Sequence, residues 1–305
     1  MKERIKIIMD VDTGADDALA LLFAAKCKAV ELLAVGTVAG NVGLGIALRN
    51  TLAILELAKC AVPVAAGASG PLSRGLKGAS NYHGENGLNG VILPEPKTRP
   101  ESVAAARQII ELSGRFPGEI ALAPTGPLTN VALALTEDPG LASRLKEIIL
   151  MGGAAFCPGN VGRYSEFNIA ADPEAAAVVF GSGAKITMVG LDVTEHTVLT
   201  PSDLPVPPSE DPVYGFVVSL LAAHMRQNVK RGIVMHDPLA IGCAADRTLI
   251  KTLPCRIDIE TKGELTTGMT VVERRNGKRE TPNVNVAVEA DSGRFIGSWV
   301  KTVLG

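Results

Sequence analysis

The chain has no run approaching the ~20 uninterrupted apolar residues of a membrane span, and its one sizeable N-terminal apolar stretch, in "MKERIKIIMD", is halted at Asp10. That stretch is too short for the core of a signal peptide. Basic runs are equally scarce. Lys and Arg total 30 against 32 Asp and Glu, a net charge of −2, and the longest basic tract is "NGKRE". Nucleic acid is therefore excluded as an expected partner, and so is a membrane surface. Five cysteines (Cys27, Cys60, Cys157, Cys243, Cys255) are scattered, odd in number and without metal-ligand spacing, which argues against a structural zinc and fits reduced thiols in a cytosol. The expectation is a soluble cytoplasmic protein. Aromatics are few as well, at 4% of residues with a single tryptophan, Trp299.

What the chain does have is a hydrophobic content of 47% over 305 residues, ample for a large core. The first two thirds alternate short β-branched runs with longer Ala/Leu-rich segments of helical period, the pattern of βαβ units. Strands are predicted at "IKIIMD", "ELLAVGTV", "VPVAAG", "EIALAP", "EIILMGG" and "KITMVGLD". Helices are predicted over 16–26, 44–57, 102–112, 128–136 and 173–180, and beyond them over 213–230, from Pro238 to Ala245, and at the terminus around Trp299. Asn276-Gly277 predicts a hairpin turn. With no linker and no repeat, the reading is an α/β fold of one domain spanning 1–305, a doubly wound, mostly parallel sheet with helices on both faces.

The stretch "IIMDVDTGADDALALL" crowds Asp10, Asp12, Asp16 and Asp17 where the first strand turns into the first helix. Ligands of parallel α/β sheets bind at such carboxyl ends. A helix N-terminus favours one acidic residue, with roughly +0.5 of a charge to offer, but gains little from four. Like charges this close repel and resist desolvation, so the cluster makes physical sense around a cation. Oxygen-only ligands point to a hard ion, Ca²⁺ or Mg²⁺. Adjacent helical residues point about 100° apart, so Asp16 and Asp17 cannot face one point alike. "DVDTG" also resembles the opening of haloacid-dehalogenase-type phosphatases, with Asp10 as nucleophile. Gly14 stands where that family has Thr or Val, and "GLDVTEH" is a poor match to its later acidic motif. An EF-hand loop fails on the offsets of its Gly and Glu.

Other polar groups follow later strands: Asn41 in "TVAGN", His83 in "NYHGENGL", Thr125 in "PTGPLTN", Asn160, Glu166 and Asn168 in "MGGAAFCPGNVGRYSEFN" before "DPEAA", and His236 with Asp237 in "HDPLA". Taken in this order over nearly the whole chain, they resemble the nucleoside hydrolase family of the inosine-uridine-preferring type. The resemblance implies hydrolysis of ribonucleosides to ribose and free base. It implies Ca²⁺ held by Asp12, Asp17, the main-chain carbonyl of Thr125 and Asp237, with Asp16 as general base toward the attacking water. It gives Asn41, His83, Asn160, Glu166 and Asn168 to substrate contacts and His236 to protonation of the leaving base, and it suggests a homodimer or homotetramer. The chemistry supports these residue types, since a departing base is a poor leaving group and a positioned imidazole contributes about 10²–10⁴-fold.

Blander readings stand beside these. Glu166 and Asn168 could simply precede the helix at Pro173, His83 could be an ordinary loop residue, and His196 and His224 read as structural or surface residues. Thr13 replaces the family's usual proline, which should loosen the turn. Trp299 reads as packing, so base preference stays open with a tilt toward a broad or pyrimidine-tolerant pocket. A non-catalytic nucleoside or ribose sensor is the alternative from another class, and its case is weakened by intact Asp16 and His236.

Overall fold

Along the first strand Ile7, Met9 and Val11 belong to one apolar cluster while Ile8 belongs to another, as the two-residue period of a strand buried on both faces requires. The computed structural model describes residues 4–76, 78, 80–206, 209–227, 232–273 and 280–305. Its strands are β1 (Ile5–Val11), β2 (Val30–Thr37), β3 (Val64–Ala66), β4 (Ile120–Pro124), β5 (Glu147–Met151), β6 (Ile186–Val189), β7 (Val198–Leu199), β8 (Ile233–Val234), β9 (Ile250–Cys255), β10 (Ile257–Ile259), β11 (Thr270–Val272) and β12 (Val284–Ala290). Eight of them form one sheet in the order β3-β2-β1-β4-β5-β6-β12-β9. All neighbours are parallel except β12 and β9, which pair antiparallel at the edge.

Among the described residues twelve α-helices connect these strands: α1 (Ala15–Lys26), α2 (Leu44–Leu57), α3 (Ser80–His83), α4 (Ala105–Arg115), α5 (Thr129–Glu137), α6 (Leu141–Arg144), α7 (Phe167–Ala171), α8 (Pro173–Phe180), α9 (Leu191–Thr194), α10 (Pro212–Gln227), α11 (His236–Ala245) and α12 (Ser292–Val303). On one face α1 packs against α2, α11 and α12; on the other α5 packs against α4 and α8. Trp299 is fully buried on the first face, its Nε1 donating to Leu19 O at 3.2 Å, so it packs the core as expected. Burying each such large side chain contributes about 1.5–3 kcal/mol. Among the described residues no helix is long and apolar enough to cross a membrane.

The sequence expectation of a doubly wound sheet holds, and the strand order reverses between β1 and β4. That reversal opens a crevice beyond the carboxyl ends of these two strands. Several local expectations need correction. The strand before "HDPLA" is no part of the main sheet: β8 pairs only with β7 in a two-stranded ribbon. The helix there starts at His236 rather than Pro238, because a proline anywhere in a first turn lacks only an N–H that has no helical acceptor. Helix α4 starts at Ala105 rather than Ser102, with Ala104 as its cap in extended conformation. The Asn276-Gly277 turn and the helical reading of 228–230 lie outside the described residues.

Candidate active site

Asp12 follows β1 directly, and the chain turns at Thr13 and Gly14 into α1. The turn is pinned from its flank. Thr13 Oγ1 lies 2.6 Å from Thr51 Oγ1, and Thr13 O accepts from Asn50 Nδ2 at 3.2 Å, so side-chain bonds from α2 provide restraint that a proline ring would otherwise supply. Close packing also demands small residues here. A Cβ at Gly40 would collide with Asp12 Oδ2 and Pro127, and one at Gly126 would lie 3.0 Å from Asp12 Oδ1.

The four acidic residues separate by direction. Asp10 points to the far face, where Asn130 Nδ2 donates to its Oδ1 at 2.8 Å, and it borders no cavity; burial pushes its carboxyl up to about 7 against the lowering effect of that bond. Asp17 reaches back as the cap of its own helix, accepting from Gly14 N at 2.9 Å and from Thr125 Oγ1 at 2.8 Å. Asp12 Oδ2 accepts from Asn41 N at 2.6 Å, and Asn41 Nδ2 donates to Asp17 Oδ2 at 3.3 Å. Asp16 alone of the four faces the crevice. Capping is thus real for Asp17, but it accounts for one carboxylate of the cluster.

That crevice is a cavity of about 240 Å³. Nine of the eleven residues singled out in the sequence border it: Asp16, Asn41, His83, Thr125, Asn160, Glu166, Asn168, His236 and Asp237. Asp12 and Asp17 lie beneath its floor, fully buried. Carboxylate oxygens of Asp16, Asp17 and Asp237 lie within 4.8 Å of one another. Burial first, then repulsion from Asp17, raises Asp12 well above the usual carboxylate range; burial and then Asp16 and Asp17 do the same to Asp237. Asp16 and Asp17 are pushed up to about 6, mainly by burial. Asp12 Oδ1 and Asp16 Oδ1 are buried without a hydrogen-bond partner, and among the described residues no Lys or Arg borders the cavity. Orphaned anionic oxygens without a cationic side chain fit a hard divalent ion, with the Thr125 carbonyl adding a neutral oxygen. That carbonyl is steered by Asn168, whose Nδ2 donates to Thr125 O at 2.7 Å and to Met151 O at 3.1 Å.

Glu166 fills two roles. It caps α7, accepting from Asn168 N at 2.9 Å, from Ile169 N at 3.2 Å and from Gly153 N at 3.0 Å, and it borders the cavity. Burial still raises its carboxyl despite those three bonds. Asn160 sits at the exposed rim and accepts from Phe167 N at 2.9 Å. His83 is no ordinary loop residue. It is buried, and its Nδ1 accepts from Ala15 N at 3.2 Å. Burial brings it down to about 4, so the ring is neutral, and its 4.0 Å approach to Asp16 is not an ion pair. His236 Nδ1 lies 2.8 Å from Thr194 Oγ1. His224 is fully buried, with Asn89 Nδ2 at 3.2 Å from its Nδ1 and its ring edge-on to Tyr82. Sequence reasoning missed Tyr82, Met151, Val161, Phe167 and Glu195 on the cavity wall. Tyr82 and Phe167 adjoin motif residues, the one signal that could have found them.

The inosine-uridine preferring nucleoside hydrolase family model matches residues 7–297. The chain belongs to that family. As a member of the nucleoside hydrolase family it is an enzyme of the N-ribosyl hydrolase class. It is 38% identical over 301 residues to a non-specific ribonucleoside hydrolase, RihC, of Escherichia fergusonii, covering 99% of this chain and 98% of that one. Its structure is similar to that of a purine-preferring ribonucleoside hydrolase from Gardnerella vaginalis, with a TM-score of 0.92, 32% identity and 98% of each chain covered. A plant nucleoside hydrolase, PpNRh1, matches with a TM-score of 0.91 at 30% identity over 99% of each chain. For this nucleoside hydrolase the phosphatase resemblance falls away, since Asp10 is bound to Asn130 and turned from the cavity.

Proposed function

We propose that this chain is a Ca²⁺-dependent hydrolase of ribonucleosides that releases ribose and free nucleobase, acting as a single catalytic domain over 1–305. The observation that carries this reading is one cavity bordered by Asp16, Asp237 and the His236 imidazole, with the buried Oδ1 atoms of Asp16 and of Asp12 behind it unpartnered. Asp12, Asp17, the Thr125 carbonyl and Asp237 are the residues that would hold the ion. When bound, the ion supplies charge neutralisation, a grip on the ribose diol and a lowered pKa for the attacking water.

The remaining work falls to the chain itself. Asp16 borders the cavity, its buried Oδ1 unpartnered, and takes the proton of the attacking water. Asn41, Asn160, Glu166 and Asn168 hold the ribose hydroxyls, and the anionic Glu166 suits the positive charge that builds on the sugar as the glycosidic bond breaks. His236 gives its proton to the leaving base, and His83, neutral, donates from Nε2 to the substrate. Asp16 and His236 on the same cavity also argue against a non-catalytic sensor.

The relative described as non-specific supports a broad range of bases, although the purine-preferring structural relative keeps purines within that range. A cytoplasmic, homodimeric or homotetrameric enzyme of nucleoside salvage is the matching cellular reading. The decisive test incubates the purified protein with inosine, uridine, cytidine and adenosine, with and without chelator, while quantifying bound metal. Base release abolished by chelation and restored by Ca²⁺ is expected; no release from any nucleoside would overturn the reading.

A further inference from the structure

The two cavity histidines are held differently. The partner of His83 Nδ1 is a backbone amide, which can only donate, so that ring keeps its proton on Nε2. The partner of His236 Nδ1 is the Thr194 hydroxyl at 2.8 Å, which can donate or accept. Thr194 is fully buried at the end of α9, next in sequence to Val193 of the apolar core. A hydroxyl in such surroundings is costly without a partner, and the ring nitrogen is one. Three residues on, Thr197 O accepts from Met235 N at 2.7 Å. One short segment, 194–197, therefore fixes both the main chain entering His236 and the ring itself.

We propose that Thr194 is a positioning residue for the reaction: its Oγ1 accepts from His236 Nδ1–H and so aims Nε2 at the departing base. This rests on the nucleoside hydrolase reading above. As the C1′–N bond breaks, its electron pair goes to the base nitrogen, which takes the proton from Nε2. Nδ1 keeps its own proton on Thr194 throughout, and solvent later returns one to Nε2. Without the hydroxyl the ring loses this hydrogen bond at Nδ1 and with it the restraint on the direction of Nε2.

The test compares Thr194→Val with Thr194→Ser on inosine and on p-nitrophenyl β-D-ribofuranoside, whose phenolate leaves without protonation. Thr194→Val is expected to lower kcat on inosine about 10–100-fold, part of the range a general acid supplies, with KM within about twofold. It should leave the nitrophenyl riboside within about threefold, and Thr194→Ser should restore inosine turnover. In ¹⁵N NMR, His236 Nδ1, assigned with His236→Ala, should show a protonated nitrogen in the wild type and a mixture of tautomers in Thr194→Val. Equal loss on both substrates, or no loss on inosine, overturns the proposal. If the valine variant does not fold, Thr194→Cys, with its weak acceptor sulfur, carries the same expectation. A wild type that hydrolyses neither substrate would instead sink the functional reading.

Discussion

Two sets of buried carboxylates stand at opposite ends of the same sheet. At the amino end of β5, Glu147 is buried against Arg247, with Lys185 Nζ 3.9 Å away. At the carboxyl ends of β1 and β4, Asp12, Asp16, Asp17 and Asp237 are buried too, yet among the described residues the basic side chains bordering their cavity are histidines, and His83 is held neutral. A folded chain pairs the charges it buries for structure. Where carboxylates cluster at the cavity without such a pairing, a bound metal ion would supply the missing charge.

The sharpest break of this contrast is Asp237→Ala or Asp12→Ala. Either should reduce kcat/KM by about 10³-fold or more, as expected when metal-dependent charge stabilisation of several kcal/mol is lost, while circular dichroism shows the fold kept. Loss within tenfold, with full metal content, would erase the distinction between the two ends. Next comes His236→Ala, expected to cost about 10²–10⁴-fold on inosine at saturating substrate. Its stability should also fall, by about 1–3 kcal/mol, because the buried Thr194 hydroxyl loses its partner.

The pH dependence of stability sharpens the comparison further. Asp16 and Asp17 rise to about 6 from an ordinary 3.8, so the metal-free fold holds protons that the unfolded chain has already released. Their stabilising contribution is full below about pH 4 and is lost as pH rises through about 6. The Tm of chelated protein should therefore fall between about pH 4 and 7, and Ca²⁺ should flatten most of that fall in calorimetry. Asp10, pushed up to about 7 but no ligand, keeps a residual slope. Identical slopes with and without Ca²⁺ would contradict the picture. Arg247→Ala, the smallest effect, should destabilise by about 2 kcal/mol. That is less than the 3–5 kcal/mol of a fully buried pair, because the Arg247 side chain is 38% exposed. Its kcat should stay within about twofold of wild type.

Much of this was legible in the residues because it rests on local signals. Short β-branched runs alternating with segments of helical period marked six parallel strands and their helices, and α2 and α8 begin and end where their patterns do. The crowding of Asp10 to Asp17 marked the cation site through repulsion alone. The misses have a common cause. Helices α7 and α9 are five and four residues long, shorter than the window in which a helical period can be counted. The two-residue strand β8 carries no period at all, so its ribbon with β7 could not be told from the main sheet.

Asp10 and Asp16 look alike in sequence, as members of one acidic run; only the strand's alternation and Asn130 on α5 turned the first away from the cavity. Glu195 carried no motif of its own, and its place on the cavity wall beside residues of the first strand's turn came from elements far apart in the chain. The amino-acid pattern by itself determined the sheet, its winding and the presence of a charge-hungry rim, because periodicity and repulsion act over a few residues. Tertiary structure decided which carboxylates face the cavity, which histidine is neutral and which hydroxyl holds the other, because direction, burial and long-range partners exist only once the strands are paired.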